Sequence, residues 1–86
     1  MAKSKALRNK KLKLYTVEFY EDVGIVSSLL HKDGEQGAFT DIDEESLPYI
    51  QFFYNRKDAE KVCKEWNDDE DFDEQAEVRE YVINVK

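Results

Sequence analysis

One cysteine, Cys63, stands alone in 86 residues, so no disulfide can form within the chain. A small cystine-stapled secreted domain is thereby excluded. Proline is nearly absent, Pro48 being the only one, and glycine is scarce: Gly24, Gly34 and Gly37 fall in neither a G-x-x-x-x-G-K nor a G-x-G-x-x-G spacing. A glycine cradle for a nucleotide is therefore not expected. No apolar run approaches the roughly 18 residues that a membrane-spanning helix needs. Bases are outnumbered, with 13 Lys and Arg against 20 Asp and Glu and a formal charge of −7. That balance excludes a generally basic nucleic-acid binder but not a local basic patch. No apolar stretch of signal-peptide type follows the charged first residues, so a cytoplasmic location is expected.

What is present suits one small folded domain. Hydrophobic residues make up 41% and aromatics 13%, too apolar for a wholly disordered chain. A domain of this size buries only about 60% of its unfolded surface, so modest stability or help from a partner is expected.

Charge is unevenly laid out. Lys3, Lys5, Arg8, Lys10, Lys11 and Lys13 occupy the first 13 residues without an acid, which leaves seven bases against twenty acids, or −13, in the remainder. Asp68, Asp69, Glu70, Asp71, Asp73, Glu74 and Glu77 follow one another without a base. Residues 1–11 lack apolar periodicity and read as a flexible basic arm; residues 12–86 read as a single α+β domain.

Within that domain, Leu12, Leu14 and Thr16 alternate with Tyr15, Val17 and Phe19, which predicts a strand ending near Tyr20. Glu21, Asp22 and Gly24 supply a turn, and Ile25 to Leu30 a second strand. Ala38, Phe39 and Ile42 form a short strand or pin a loop. Tyr49 to Tyr54 carries aromatic or apolar groups in both directions, which predicts a central strand covered on both faces. Asn55 is a helix N-cap, and Ala59, Val62, Cys63 and Trp66 form the apolar stripe of a helix over 56–67. Glu60 and Lys64 are spaced to pair on its exposed side. Val78 to Val85 reads as a last strand. The order β-β-(β)-β-α-β predicts a mainly antiparallel sheet of four or five strands, one helix packed on one face and the other face partly exposed.

Catalytic and metal chemistry find little support. Cys63 sits in the helix stripe, His31 beside a turn as a solvated strand-end residue, and nothing in their spacing makes a Cys–His pair. Ser4, Ser27, Ser28 and Ser46 lie in no nucleophile-elbow context. One Cys and one His are too few for zinc. Asp69, Asp71, Asp73, Glu77 and Glu80 match EF-hand positions 1, 3, 5, 9 and 12, but Glu74 stands where the loop needs Gly. The chain is expected to be no enzyme and to hold no cofactor or metal.

Two charged segments carry the binding readings. Asp68, Asp69, Glu70, Asp71, Asp73 and Glu74 surround Phe72, a negative patch with an aromatic inside a charged rim. Such a patch docks a basic cleft and competes with nucleic acid for it; Asp41 to Glu45 would extend it. Phe72 could equally tuck back onto the sheet. The alternative is an RNA binder in which Lys3, Lys5, Arg8, Lys10, Lys11 and Lys13 hold phosphates and feed an aromatic face of Tyr15, Phe19 and Tyr20. A third reading is a module that pairs an exposed edge strand with a copy of itself.

The run Tyr54-Asn55-Arg56-Lys57-Asp58-Ala59-Glu60-Lys61-Val62-Cys63, a strand entering a capped helix, resembles a pattern frequent among small accessory proteins of bacteriophages. The resemblance covers ten residues. It implies a non-enzymatic protein of the host cytoplasm that binds and modifies or blocks a host factor, such as a defence nuclease, a toxin or a transcription component.

Overall fold

The structure is a computed structural model and describes residues 11–22 and 24–84. Three antiparallel strands form one sheet: β1 (Lys11–Asp22), β2 (Ile25–Leu29) and β3 (Gln75–Asn84), with β1 central in the order β2-β1-β3. The helix α1 (Arg56–Asn67) lies between β2 and β3 in sequence. The class is α+β, as expected, but among the described residues the sheet has three strands rather than four or five.

The missing strand is the Tyr49–Tyr54 segment, which makes isolated bridges instead of a ladder. Ile50 pairs with His31, and Phe53 pairs with Tyr15 of β1. The backbone changes partner midway. Gln51 N–H donates to Leu30 O at 3.0 Å, whereas Phe53 and Tyr15 exchange both their N–H···O bonds at 2.7 and 2.8 Å. Two partners a residue or two apart satisfy the backbone without building a continuous strand. The expected first strand extends two residues past Tyr20, and the last one begins at Gln75, three residues early.

Alternation along β1 sorts its side chains as the period of two requires. Val17 and Phe19 are fully buried and meet Leu30, Ala59, Cys63 and Ala76, with Trp66, Val62 and Phe72 packed around them. The α1 stripe lies against this face because Asn55 starts the helix in the right phase; its Oδ1 accepts the Lys57 N–H at 2.9 Å. Phe19, Trp66 and Phe72 meet edge to face, with centroids 4.9 to 5.7 Å apart.

The opposite sheet face is not left open. Leu14, Thr16 and Glu18 are buried. Residues 39–52 fold over that side, where Ile42, Leu29 and Ile50 form a second core with Phe39, Leu47, Phe52 and Tyr81 around it. A turn knotted by Ser46 holds the cover: its hydroxyl donates to Asp41 O at 2.8 Å and accepts the Asp43 N–H at 2.9 Å, while Asp43 Oδ1 accepts the Glu45 and Ser46 N–H groups.

His31 is half-buried rather than solvated. Its ring lies nearly parallel to those of Phe39 and Tyr49, with centroids 5.6 and 6.3 Å away. Gly37 abuts it so closely that an added Cβ would fall 1.7 Å from His31 Nε2. Gly37→Ala must push the ring against its aromatic neighbours and is expected to cost about 1–3 kcal/mol. A urea titration checks this, and an unchanged midpoint would show that the ring moves aside freely.

Candidate docking surface

The acidic run leaves α1 and returns to β3 as an ordered loop, fastened at both ends and in the middle. At its base, Asn67 acts as a backbone mimic across nine residues: Nδ2 donates to Ala76 O at 3.0 Å, and Oδ1 accepts the Ala76 N–H at 2.8 Å. Asp69 Oδ1 caps a turn by accepting the Asp71 N–H at 2.9 Å, and Phe72 N–H donates to Asp69 O. Phe72 then points inward onto Phe19 and Trp66. It serves as the loop's own anchor, not as an aromatic offered to a partner. Glu74 is half-buried and tied to the β2 side, accepting hydrogen bonds from the Ser27 hydroxyl and from Gln36 Nε2.

What remains on the outside is carboxylate. Asp68, Asp69, Glu70, Asp71 and Asp73 are exposed, and none forms an ion pair among the described residues. An open hollow of about 440 Å³ adjoins them, lined by Tyr20, Glu21, Gly24, Asp73, Glu74, Gln75 and Glu77. Glu21 was not expected here, and Glu77, the last acid of the run, reaches the hollow from β3. They join the surface because β1 and β3 pair Tyr20 with Gln75 and Glu18 with Glu77, a register that residue spacing does not reveal. Tyr20 closes one side of the hollow as a neutral donor. Burial, the hydrogen bond to Glu18 and the charges of Glu18 and Glu77 push its phenol up to about 12, with Arg79 opposing.

The Asp41–Glu45 acids belong to the segment that covers the second core, into which Ile42 packs. Asp41 meets Arg79 Nη1 at 3.3 Å; the same nitrogen lies 3.6 Å from Glu18 Oε2. Glu18 in turn accepts the Tyr20 hydroxyl, so a chain of contacts runs from Asp41 to the edge of the hollow.

The aromatic platform expected beside the basic arm is absent. Phe19 is fully buried in the core, and Tyr20 lies on the opposite face of β1 from Tyr15 and Phe19. Lys11 and Lys13 are exposed on β1, whose ladder already includes Lys11; Lys3, Lys5, Arg8 and Lys10 lie outside the described residues. Cys63 and His31 stand in separate clusters. Burial, then the Glu77 and Glu60 charges, push the Cys63 thiol up to about 11, which leaves it protonated and unreactive at neutral pH. Among the described residues, no three His, Cys, Asp or Glu side chains are placed to hold a metal ion. No described helix is long and apolar enough to cross a membrane.

No protein-family model, curated protein or solved structure matches the chain.

Proposed function

We propose that the chain is a non-enzymatic interaction protein, an inhibitor or adaptor that docks its acidic loop into the basic cleft of a nucleic-acid-handling protein. The carrying observation is the loop's construction. Five exposed carboxylates sit on a segment held by the Asn67–Ala76 clasp, the buried Phe72 and the pinned Glu74. A fixed array loses less conformational freedom on docking than a mobile tail would. Dense negative charge steers approach to a basic partner and stands in for spaced phosphates. The resemblance to bacteriophage accessory proteins favours a counter-defence role in a host cytoplasm, against a nuclease or toxin.

The test is a tagged pull-down from bacterial lysate, with and without ribonuclease, followed by titration of the recovered partner. Asp68→Lys/Asp69→Lys/Asp71→Lys/Asp73→Lys reverses the array while leaving Phe72, Glu74 and Asn67 in place. It should weaken binding at least tenfold, mainly through slower and less salt-dependent association. Unchanged affinity would remove the loop from the interface.

A further inference from the structure

Half of the eight bases among the described residues lie on one element, α1: Arg56, Lys57, Lys61 and Lys64. Lys57, Lys61 and Lys64 follow at i, i+4 and i+7. On a helix of 3.6 residues per turn, that spacing gathers them within an arc of about 60° and a length of about 10 Å. The arc is opposite the buried Ala59 and Cys63, and all three lysines are exposed. None is in an ion pair among the described residues. The expected Glu60–Lys64 pair does not form; Glu60 instead meets Arg56 Nε at 3.7 Å. Tyr54, just before the helix, is 82% exposed. Arg56 lies over the Tyr15 ring at 5.9 Å.

We propose that this lysine ridge, with Tyr54 at its head, binds the phosphodiester backbone of a single-stranded nucleic acid. Three free ammonium groups in line can meet successive phosphates of an extended strand, and a ring with an open face can take a base by stacking. The flanks select the ligand's shape. Asp58 and Glu65 border one side of the ridge and Glu60 the other, all exposed. A strand one phosphate row wide lies between them, whereas a duplex brings a second row against those carboxylates. Asp68 continues the same arc one turn beyond Lys64, whose carbonyl accepts its N–H at 2.9 Å. Its carboxylate thus lies within the screening length of about 8–10 Å and weakens that end of the ridge, while Lys57 and Lys61 stand farther from the acidic loop. This surface is separate from the acidic loop and does not depend on the loop's role.

The experiment is fluorescence anisotropy on the full chain with short labelled oligouridylate and oligothymidylate. Three phosphate contacts on a single strand predict a log–log salt slope near −2, so affinity should fall about 20-fold between 50 and 200 mM salt. Lys57→Glu/Lys61→Glu/Lys64→Glu, all at exposed positions, should weaken binding at least tenfold and abolish most of that slope. The same loss should occur in a chain whose Lys3, Lys5, Arg8, Lys10, Lys11 and Lys13 are changed to Gln, which separates the ridge from the basic arm. Equal affinity for the two oligonucleotides would support recognition of the shared phosphodiester; preference for oligouridylate would support it with a further contact to the 2′-hydroxyl. Undiminished binding by the ridge variant, tighter binding of a duplex of equal length, or no binding of either oligonucleotide at 50 mM salt would overturn the proposal.

Discussion

Phe19→Ala should bring the domain close to unfolding. The ring is fully buried on β1 and meets Trp66 and Phe72 edge to face. Truncation of such a phenylalanine costs about 3–5 kcal/mol through lost burial and the cavity left behind. A chain of 86 residues has a total stability of only about 4–13 kcal/mol. The loss also reaches the docking surface, because Phe72 holds the acidic loop against this ring. Urea unfolding followed by the fluorescence of Trp66, the only tryptophan, measures it directly. Phe19→Leu should lose much less, since it refills most of the space. A Phe19→Ala midpoint equal to wild type would mean that the helix-side core is not organised around this side chain.

Arg79→Met should be the next most damaging change, and its rescue identifies the cause. Glu18 is almost buried, its side chain 11% exposed, and its only cation among the described residues is Arg79. Removing the arginine leaves that carboxylate with the Tyr20 hydroxyl alone. A separation of 3.6 Å and an arginine one-third exposed make the pair weaker than a fully buried one, so a cost of about 1–3 kcal/mol is expected. Glu18→Leu/Arg79→Met removes the stranded charge together with its partner and should recover part of the loss. A double variant less stable than Arg79→Met would show that the arginine acts by packing its stem instead. Acid titration supplies a second signature. The Ile42 N–H bond, then Arg79, hold the Asp41 carboxyl below its ordinary 3.8. A folded value below the unfolded one gives a contribution that is complete above the unfolded pKa and is lost as pH falls through the folded one. Without Arg79 the folded value moves back towards 3.8, so the stability loss below that pH should be shallower in Arg79→Met.

The helix was legible in the sequence because its signals are local. Asn55, the stripe of Ala59, Val62, Cys63 and Trp66, and the acidic run after Asn67 place Arg56–Asn67 without reference to the rest of the chain. The two faces of β1 were legible for the same reason. The second core was not. Ile42 and Leu47 are single apolar residues beside acids and show no period, so nothing in the spacing said that they join Leu29 and Ile50 in a core. Tyr49–Tyr54 has the composition of a central strand, yet tertiary hydrogen bonds to two different partners override it. At the docking surface, the run Asp68–Glu74 could be read directly. Glu21 and the clasp from Asn67 to Ala76 could not, since each depends on where β3 sits against β1.

That last pairing governs how the domain is assembled in time. The ten rungs between β1 and β3 join residues separated by 55 positions at Tyr20–Gln75 and by 73 at Lys11–Asn84. On a ribosome, β1 emerges long before its main partner, and only the short β2 is available to it at first. Closing so wide a loop has an entropic cost that is met before the contacts reward it. Until then Val17 and Phe19 have no complete site to occupy, and the edge of β1 stays open to other chains. The acidic loop, whose far end is fixed by Ala76 and Glu74, acquires its shape only in that late step. Its array of carboxylates thus reports that the whole sheet has closed.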